Sequence, residues 1–215
     1  MKNRFDLLIF DWDGTLVNSI GWITECLQNA AREYNCTIPD ANNAKNVIGL
    51  STPNAIKTLF PEVDEQTQTS LAASFRQQSA TKNFSRNDLF PGVYEMLIQL
   101  KESGYQLAVA TGKSRTGLQE ALIETETEHL FCITRCADET ASKPDPQMLF
   151  EIIQHTKIAK ERTLMIGDTQ HDLLMAINVP ISAIAVTCGA QSADVLKLYN
   201  PLLCLKQPTE LLNFI

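Results

Sequence analysis

The segment FDLLIFDWDGTLVNS, residues 5 to 19, decides the fold of this chain. Its apolar run from Leu7 to Phe10 is typical of a strand that is buried on both faces. The run ends in two carboxylates one residue apart, Asp11 and Asp13, and a glycine and a threonine then turn the chain. Two acids at the end of a buried strand are costly unless something compensates them, and a bound cation would do so. An acidic strand-to-loop turn is the alternative, since Asp and Gly favour turns in any case.

The composition predicts one sizeable core with room for a small inserted domain. Of the 215 residues, 44% are hydrophobic and 7% are aromatic, which is enough for such a core. The net charge is −7, without a long run of either sign. An acidic surface disfavours nucleic acid and anionic membranes as partners. A small anionic substrate is compatible with this charge where local positive charge receives it.

The cysteines and the amino-terminal segment favour a cytoplasmic protein. No CxxC pair occurs, and most of the six cysteines lie in apolar runs, at positions 26, 36, 132, 136, 188 and 204. We interpret them as reduced core residues. Lys2 and Arg4 could begin a signal peptide, but Asp6 and Asp11 interrupt the short apolar run behind them, so secretion is not expected. No segment reaches the length of a membrane span.

Residues 18–85 are predicted to form helices only. Apolar side chains recur at helical spacing in three segments, 19–35, 52–60 and 64–82. A polar turn around Pro39 and Asp40 follows the first segment. Because this block follows the first strand directly, we interpret residues 18–85 as an inserted helical domain. Residues 1–17 and 86–215 would then form one α/β domain.

From residue 87 onward, predicted strands alternate with predicted helices. The strands are Tyr105–Thr111, Leu130–Ile133, Thr163–Gly167, Ala183–Thr187 and a short Leu202–Leu205. Helices are predicted at 92–103, 114–124, 145–155 and 169–178. This alternation is typical of a doubly wound parallel sheet with helices on both faces. The fold class is therefore α/β, with an all-helical insertion.

Polar residues recur where the apolar strands end. Asp11 and Asp13 end the first strand, Thr111 ends the second and Asp168 ends the fourth. The carboxyl ends of parallel strands share one edge of the sheet, and ligands bind at that edge. We therefore expect these side chains to lie close together.

Two more side chains can reach the same edge. Lys143 precedes a strand-to-helix connection, and Asp172 follows Asp168 by four residues, which places it about one helical turn further on. Four carboxylates this close cannot all ionise without a cation, and hard oxygen ligands without His or Cys indicate Mg²⁺. Mg²⁺ beside a lysine and a hydroxyl is suited to a phosphoryl group.

Four motifs resemble, in order, those of the haloacid dehalogenase-like (HAD) hydrolases. They are the DxDGT signature at Asp11–Thr15, Thr111-Gly112, Lys143-Pro144 and the segment Gly167–Asp172. The resemblance spans residues 5 to about 189, and it implies a Rossmann-like core with a helical cap. The branch most similar is that of phosphoglycolate phosphatase-like enzymes. Asn18 departs from the family's pattern, since many relatives carry Asp at this position. The departure lies outside the four motifs, so it bears on the hinge of the cap rather than on the chemistry.

The resemblance implies the chemistry of the site. Asp11 would attack phosphorus and form an aspartyl-phosphate. Asp13 would protonate the leaving oxygen and later take a proton from water. Thr111 and the Gly112 amide would hold phosphoryl oxygens, and Lys143 would neutralise them together with Asp11.

The resemblance also implies the metal ligands and the function. Mg²⁺ would bind the Asp11 carboxylate, the Asp13 carbonyl and Asp168, with Asp172 acting through a water or orienting the ligands. The expected function is hydrolysis of small phosphorylated metabolites, such as phosphoglycolate-like or sugar phosphates. A phosphomutase of the β-phosphoglucomutase type shares the nucleophile, but a sugar hydroxyl rather than water takes the phosphoryl group. A receiver-like or non-catalytic metabolite-binding protein is the third alternative, which the helical insertion and the intact motifs disfavour.

Several polar residues are expected to have no role in the site. Lys113–Arg115 fit a helix cap with a solvated face better than a phosphate-binding cluster. His171 is expected to be exposed, because neighbours of Asp168 and Asp172 on a helix point elsewhere. His129 and His155 are expected at the surface as well.

Three further predictions concern the cysteines and the cap. Cys132 and Cys136 are expected to pack in the core rather than to form a redox pair. The turn at Gly49–Ser51 lies between predicted cap helices and is interpreted as a specificity loop, with a turn that contacts no ligand as the alternative. Three cations are expected to be solvated rather than to meet a second anionic group of the substrate: Arg76, Lys82 and Arg86.

Overall fold

The computed structural model describes residues 4–215. The first three residues of the predicted core domain, among them Lys2, lie outside the described residues. Within this range the strands are β1 Leu7–Phe10, β2 Gln106–Thr111, β3 Ile133–Cys136, β4 Thr163–Gly167, β5 Ser182–Val186 and β6 Cys204–Leu205. The α-helices are α1 Ile20–Glu33, α2 Ala41–Asn46, α3 Thr52–Leu59, α4 Glu65–Ser79, α5 Val93–Glu102, α6 Arg115–Glu124, α7 Gln147–Thr156, α8 Gln170–Asn178 and α9 Ala193–Lys197.

The strands form one parallel sheet in the order β3-β2-β1-β4-β5-β6. Strand β1 lies between β2 and β4, and Phe10 is opposite Val109 on one side and Ile166 on the other. The direction of winding reverses at β1, which leaves a crevice at the carboxyl ends of the central strands. The predicted α/β fold with a doubly wound parallel sheet is confirmed.

The two faces of β1 contribute to separate hydrophobic clusters. Leu8 and Phe10 pack in the cluster that α5 and α6 cover. Leu7 and Ile9 pack in the cluster that α7 and α8 cover. Side chains alternate between the faces of a strand, so an unbroken apolar run fills both clusters at once.

Helices α1 to α4, which we call the helical segment, lie between β1 and β2 in the chain. They build a hydrophobic cluster of their own around Leu27, Val47, Ile56 and Leu71. Helix α2 begins where only a polar turn was predicted, because the Asp40 carboxylate accepts hydrogen bonds from the first backbone N–H groups of the helix. The division of the chain at residues 17/18 and 85/86 stays a prediction.

Strand β3 differs from the prediction. It runs from Ile133 to Cys136, whereas Leu130, the first residue of the predicted strand, ends a single 3₁₀ turn at Glu128–Leu130. Because β3 is an edge strand, its central residues are half-exposed and polar, and Arg135 pairs with Glu151 at 2.6 Å. An apolar run is therefore a poor guide to this edge strand, and the predicted strand begins three residues too early.

The cysteines are all free, as expected, but not all of them are core residues. Cys26 and Cys136 are buried, and burial raises the pKa of the Cys136 thiol to about 12. Cys132 is exposed, so its predicted core packing is wrong, since it immediately precedes the edge strand β3. Among residues 4–215 no helix is both long and apolar enough to cross a membrane.

Candidate active site

Asp11 lies directly after β1 and is buried, with 1% of its surface exposed. Its Oδ1 atom accepts hydrogen bonds from the Trp12 backbone N–H at 2.7 Å and from Lys143 Nζ at 2.8 Å. Its Oδ2 atom is buried and has no hydrogen-bond partner among the described residues. Burial raises the pKa of Asp11 well above its usual value; Lys143 opposes the shift, and the carboxylates of Asp172 and Asp168 add to it.

Lys143 joins Asp11 to Asp172. Its ammonium group is buried and lies 2.8 Å from Asp11 Oδ1 and 2.7 Å from Asp172 Oδ1. Burial alone would lower the pKa of Lys143, but the two carboxylates outweigh burial and raise it above its usual value. Lys143 therefore stays positively charged.

Asp168 follows β4 and is fully buried. Its two oxygens accept hydrogen bonds from the Thr15 hydroxyl at 3.0 Å and from the Ala190 N–H at 2.7 Å. Burial, with a further contribution from Asp172, raises the pKa of Asp168 to about 7. The turn after β1 packs tightly on this carboxylate, because a Cβ atom on Gly14, at φ +80°, would lie 2.3 Å from Asp168 Oδ2.

Asp172 lies in the first turn of α8 and faces the same cluster, as its spacing from Asp168 predicts. One of its oxygens meets Lys143, and the other accepts hydrogen bonds from the N–H and the hydroxyl of Thr169 at 3.1 and 2.7 Å. The Thr169 hydroxyl in turn accepts a hydrogen bond from the Asp172 N–H at 3.4 Å, and this reciprocal arrangement is a capping box. It fixes the orientation of Asp172 at the start of the helix.

The three buried acids form a group that suits a divalent cation. Asp11, Asp168 and Asp172 each offer one carboxylate oxygen, and these atoms lie within 4.8 Å of one another. Lys143 contacts two of these three carboxylates, those of Asp11 and Asp172, so a divalent cation would balance the remaining negative charge. Hard oxygen donors, with no His or Cys in the group, fit Mg²⁺ better than zinc.

Asp13 has polar partners that sequence reasoning missed. Ser19 donates a hydrogen bond from its hydroxyl to Asp13 Oδ1 at 2.6 Å, instead of capping α1 through its side chain. Lys113 Nζ lies 3.3 Å from both Asp13 oxygens, and it also lies 5.2 Å from the centroid of the Phe84 ring. The prediction of a solvated Lys113 is therefore wrong. The available signal was its position directly after the Thr111-Gly112 motif.

The predicted helix cap is present in the rest of the segment after β2, but Arg115 is half-buried and paired rather than solvated. The Ser114 hydroxyl caps α6 by accepting a hydrogen bond from the Gly117 N–H at 3.3 Å. Arg115 pairs with Glu139 at 2.5 Å rather than with an acid of the candidate site. His129 and His155 are exposed.

The Thr111-Gly112 motif contacts the helical segment. The buried Thr111 hydroxyl accepts a hydrogen bond from the Lys113 N–H at 3.2 Å. A Cβ atom on Gly112 would lie 2.5 Å from the Gly49 carbonyl oxygen and 2.6 Å from that of Leu50. The turn interpreted as a specificity loop thus lies against the end of β2.

Hydrogen bonds from Ser51 and His171 join the helical segment to the core. Ser51 donates from its backbone N–H to Ser142 Oγ at 2.8 Å. His171 Nε2 lies 3.0 Å from the Asn46 carbonyl oxygen. His171 is buried, with 9% exposed, so its predicted exposure is wrong; burial lowers the pKa of its imidazole. The sequence offered no sign that α2 would cover this position.

We call the carboxyl ends of β1, β2 and β4, with the polar side chains gathered there, the core edge. A cleft separates the helical segment from the ends of β1 and β2. Asp11, Asp13 and residues 111–113 line its core side, and the space, including its open mouth, is about 820 Å³. Of the three cap cations, Arg76 lines this cleft, whereas Lys82 pairs with Asp88 and Arg86 with Glu126. The two paired cations bind protein carboxylates rather than water alone.

The fold and the site together define a class of protein. It has an α/β core with acids at the ends of its strands and a lysine in contact with them, and a helical segment covers this site. The chain belongs to the haloacid dehalogenase-like hydrolase family, which matches residues 8–186. This match confirms the predicted family and the prediction of a hydrolytic enzyme.

Curated relatives of the chain are named as phosphatases. It is 34% identical to the probable phosphatase IndB of Dickeya dadantii over 91% of this chain and 86% of that protein. It is 26% identical to the pyrophosphatase PpaX of Bacillus cereus, over 97% of this chain and 95% of that protein. The fold matches the crystal structure of a predicted phosphoglycolate phosphatase from Haemophilus somnus with a TM-score of 0.85, at 23% identity and 99% coverage of both chains.

Proposed function

We propose that this chain is a Mg²⁺-dependent phosphatase that hydrolyses small phosphorylated metabolites through an aspartyl-phosphate on Asp11. The observation that carries the proposal is the asymmetry of the Asp11 carboxylate. Oδ1 is held by Lys143 and a backbone N–H, whereas Oδ2 is buried and has no hydrogen-bond partner within residues 4–215, and Asp11 itself lines the cleft. A carboxylate held in one orientation with one free oxygen is suited to attack on phosphorus.

Asp13 is the general acid and base in this proposal. As Asp11 attacks, the bond from phosphorus to the ester oxygen breaks, and Asp13 gives its proton to the departing alkoxide. Water then attacks the phosphorus of the aspartyl-phosphate and gives a proton to Asp13. This second step releases inorganic phosphate and restores the Asp11 carboxylate. Ser19 and Lys113, which contact the Asp13 oxygens, hold the side chain in place.

The remaining residues of the core edge bind the phosphoryl group. Thr111 and the Gly112 amide supply hydrogen-bond donors at the end of β2, and Lys143 and Lys113 supply positive charge. The Asp11 carboxylate, the backbone carbonyl of Asp13 and the Asp168 carboxylate would hold Mg²⁺, with Asp172 acting through a water or orienting these ligands. When bound, the ion supplies positive charge that stabilises the phosphoryl oxygens.

Metal removal tests the proposal. EDTA should abolish phosphate release from a small aryl phosphate, and Mg²⁺ should restore it, whereas Ca²⁺ should restore it poorly because its coordination is looser. Saturating Mg²⁺ should also raise the melting temperature by about 5 °C, because it binds only the folded chain.

The matched variant is Asp168→Asn, which removes one carboxylate but keeps the volume of the side chain. It should lose the Mg²⁺-dependent rise in melting temperature along with turnover. Full turnover in EDTA would contradict the metal requirement. Transfer of the phosphoryl group to a sugar without release of inorganic phosphate would favour a phosphomutase.

A further inference from the structure

The two sides of the cleft differ in chemistry. The core side is polar and carries the paired acids and Lys113. The opposite side comes mainly from α1, α4 and the turn after α2. We call its main lining residues the apolar wall: Trp22, Ile23, Leu27, Ile48, Leu50 and Phe75.

Polar groups are scarce on the side of the apolar wall. Thr52, Ser79 and Arg76 are its polar lining residues, and among the described residues no carboxylate or carboxamide side chain of the helical segment lines the cleft. A polyol or a small hydroxy acid placed here would lose hydration without gaining enough hydrogen-bond partners, which is unfavourable. A site built for such a substrate carries convergent polar groups instead.

Trp22 stands apart from the hydrophobic clusters of the described residues. Its side chain is half-buried. Its indole nitrogen is buried and has no hydrogen-bond partner in the part of the chain that the structure describes. Large aromatic side chains that line a cleft without joining a core commonly contact ligands.

We infer that the alcohol part of the substrate is an apolar, ring-sized group that packs on the apolar wall while its phosphate lies at the core edge. This inference rests on the proposed phosphatase function and narrows its substrate class. The apolar wall and the Asp11 and Asp13 carboxylates line one continuous cleft. A phosphate monoester can therefore place its phosphorus at Asp11 and bury its organic part at the same time.

Three primary alkyl phosphates test the inference, because their leaving oxygens are similar and only the organic part differs. They are 2-phenylethyl phosphate, ethyl phosphate and glycerol 1-phosphate, assayed by phosphate release with Mg²⁺ present. We expect kcat/KM for 2-phenylethyl phosphate to exceed the other two by about 10- to 100-fold, mainly through KM, because burial of the ring favours binding.

Variants of Trp22 locate the effect. Trp22→Ala should lower the ratio of kcat/KM for 2-phenylethyl phosphate over glycerol 1-phosphate by about 10-fold. Trp22→Phe should keep most of the ratio, because a ring remains. Tyr34→Ala is the matched control, since Tyr34 is an exposed aromatic residue at the end of the same helix and should leave the ratio unchanged. A partly unfolded variant lowers both rates equally, so the ratio is insensitive to folding.

The outcomes separate the inference from the proposed function. If no ester releases phosphate with Mg²⁺ present, the phosphatase proposal fails, and the inference fails with it. If all three esters are hydrolysed but ethyl or glycerol phosphate is as good as 2-phenylethyl phosphate, the phosphatase proposal stands and the inference is wrong. An unchanged ratio in Trp22→Ala would also overturn it.

Discussion

The core edge and the apolar wall face each other across one cleft, yet they are built in opposite ways. At the core edge, most polar atoms have partners: Lys143 joins Asp11 to Asp172, and Asp168 is held by Thr15 and Ala190. On the apolar wall, Trp22 and Phe75 are half-buried, and the indole N–H of Trp22 has no hydrogen-bond partner among residues 4–215.

This difference separates chemistry from selection. Buried charges need a complete set of partners, so each change at the core edge leaves another charge unpaired. An apolar wall contributes through area and shape, so changes there should be graded. We therefore expect variants of the core edge to act on turnover and stability, and variants of the wall to act on the ratio between substrates.

The largest expected effect is that of Asp11→Asn. An amide is a poor nucleophile, so kcat should fall by at least about 10³-fold on every substrate. The assay is phosphate release at saturating substrate, alongside a circular dichroism melt to confirm folding. A folded Asp11→Asn protein with near-normal kcat would exclude Asp11 as the nucleophile.

Lys143→Met should have the next largest effect, on stability. It leaves the buried carboxylates of Asp11 and Asp172 without their cation, so the free energy of unfolding in metal-free buffer should fall by about 3–5 kcal/mol. Urea denaturation followed by circular dichroism measures this change.

Lys113→Met is the matched control for Lys143→Met. Asp13 is buried as well, but its ion pair with Lys113 is longer, at 3.3 Å, and Ser19 still donates a hydrogen bond to Asp13. The loss of Lys113 should therefore cost less than the loss of Lys143, about 1–2 kcal/mol. Equal destabilisation by the two variants would contradict the distinction between a buried charge network and a pair in the cleft.

Gly112→Ala should have a smaller effect, on the docking of the helical segment. The added Cβ atom would lie 2.5 Å from the Gly49 carbonyl oxygen, so the turn at Gly49–Ser51 must move away from β2. Misplacing this turn should lower kcat/KM by about 10-fold. Steady-state kinetics on any accepted substrate measures the change.

Gly21→Ala serves as the control for Gly112→Ala. Gly21 lies in α1, where an added Cβ atom meets nothing within 4 Å. The substitution should leave kcat/KM unchanged and stabilise the chain by up to about 1 kcal/mol, because alanine favours helix. Wild-type kinetics in Gly112→Ala would show that the turn does not need its close contact with β2.

Much of the sheet could be predicted, because buried parallel strands appear as apolar runs. Strand β4 was predicted with its observed limits, Thr163 and Gly167. Strand β3 was placed too early, because an edge strand tolerates polar residues such as Arg135. Helix α2 was missed, since six residues with little apolar periodicity are specified by one capping carboxylate.

Sequence alone determined the order of the strand-end acids, their position after apolar runs and the spacing of Asp168 and Asp172. These features are local, because each follows from the end of one strand or from one turn of one helix. Only the tertiary structure decided that Lys113 reaches Asp13, that Asn46 covers His171 and that Trp22 lines the cleft. Each of these arrangements brings together elements that are distant in the chain. Each therefore depends on how the helical segment packs against the sheet, and no local pattern specifies it.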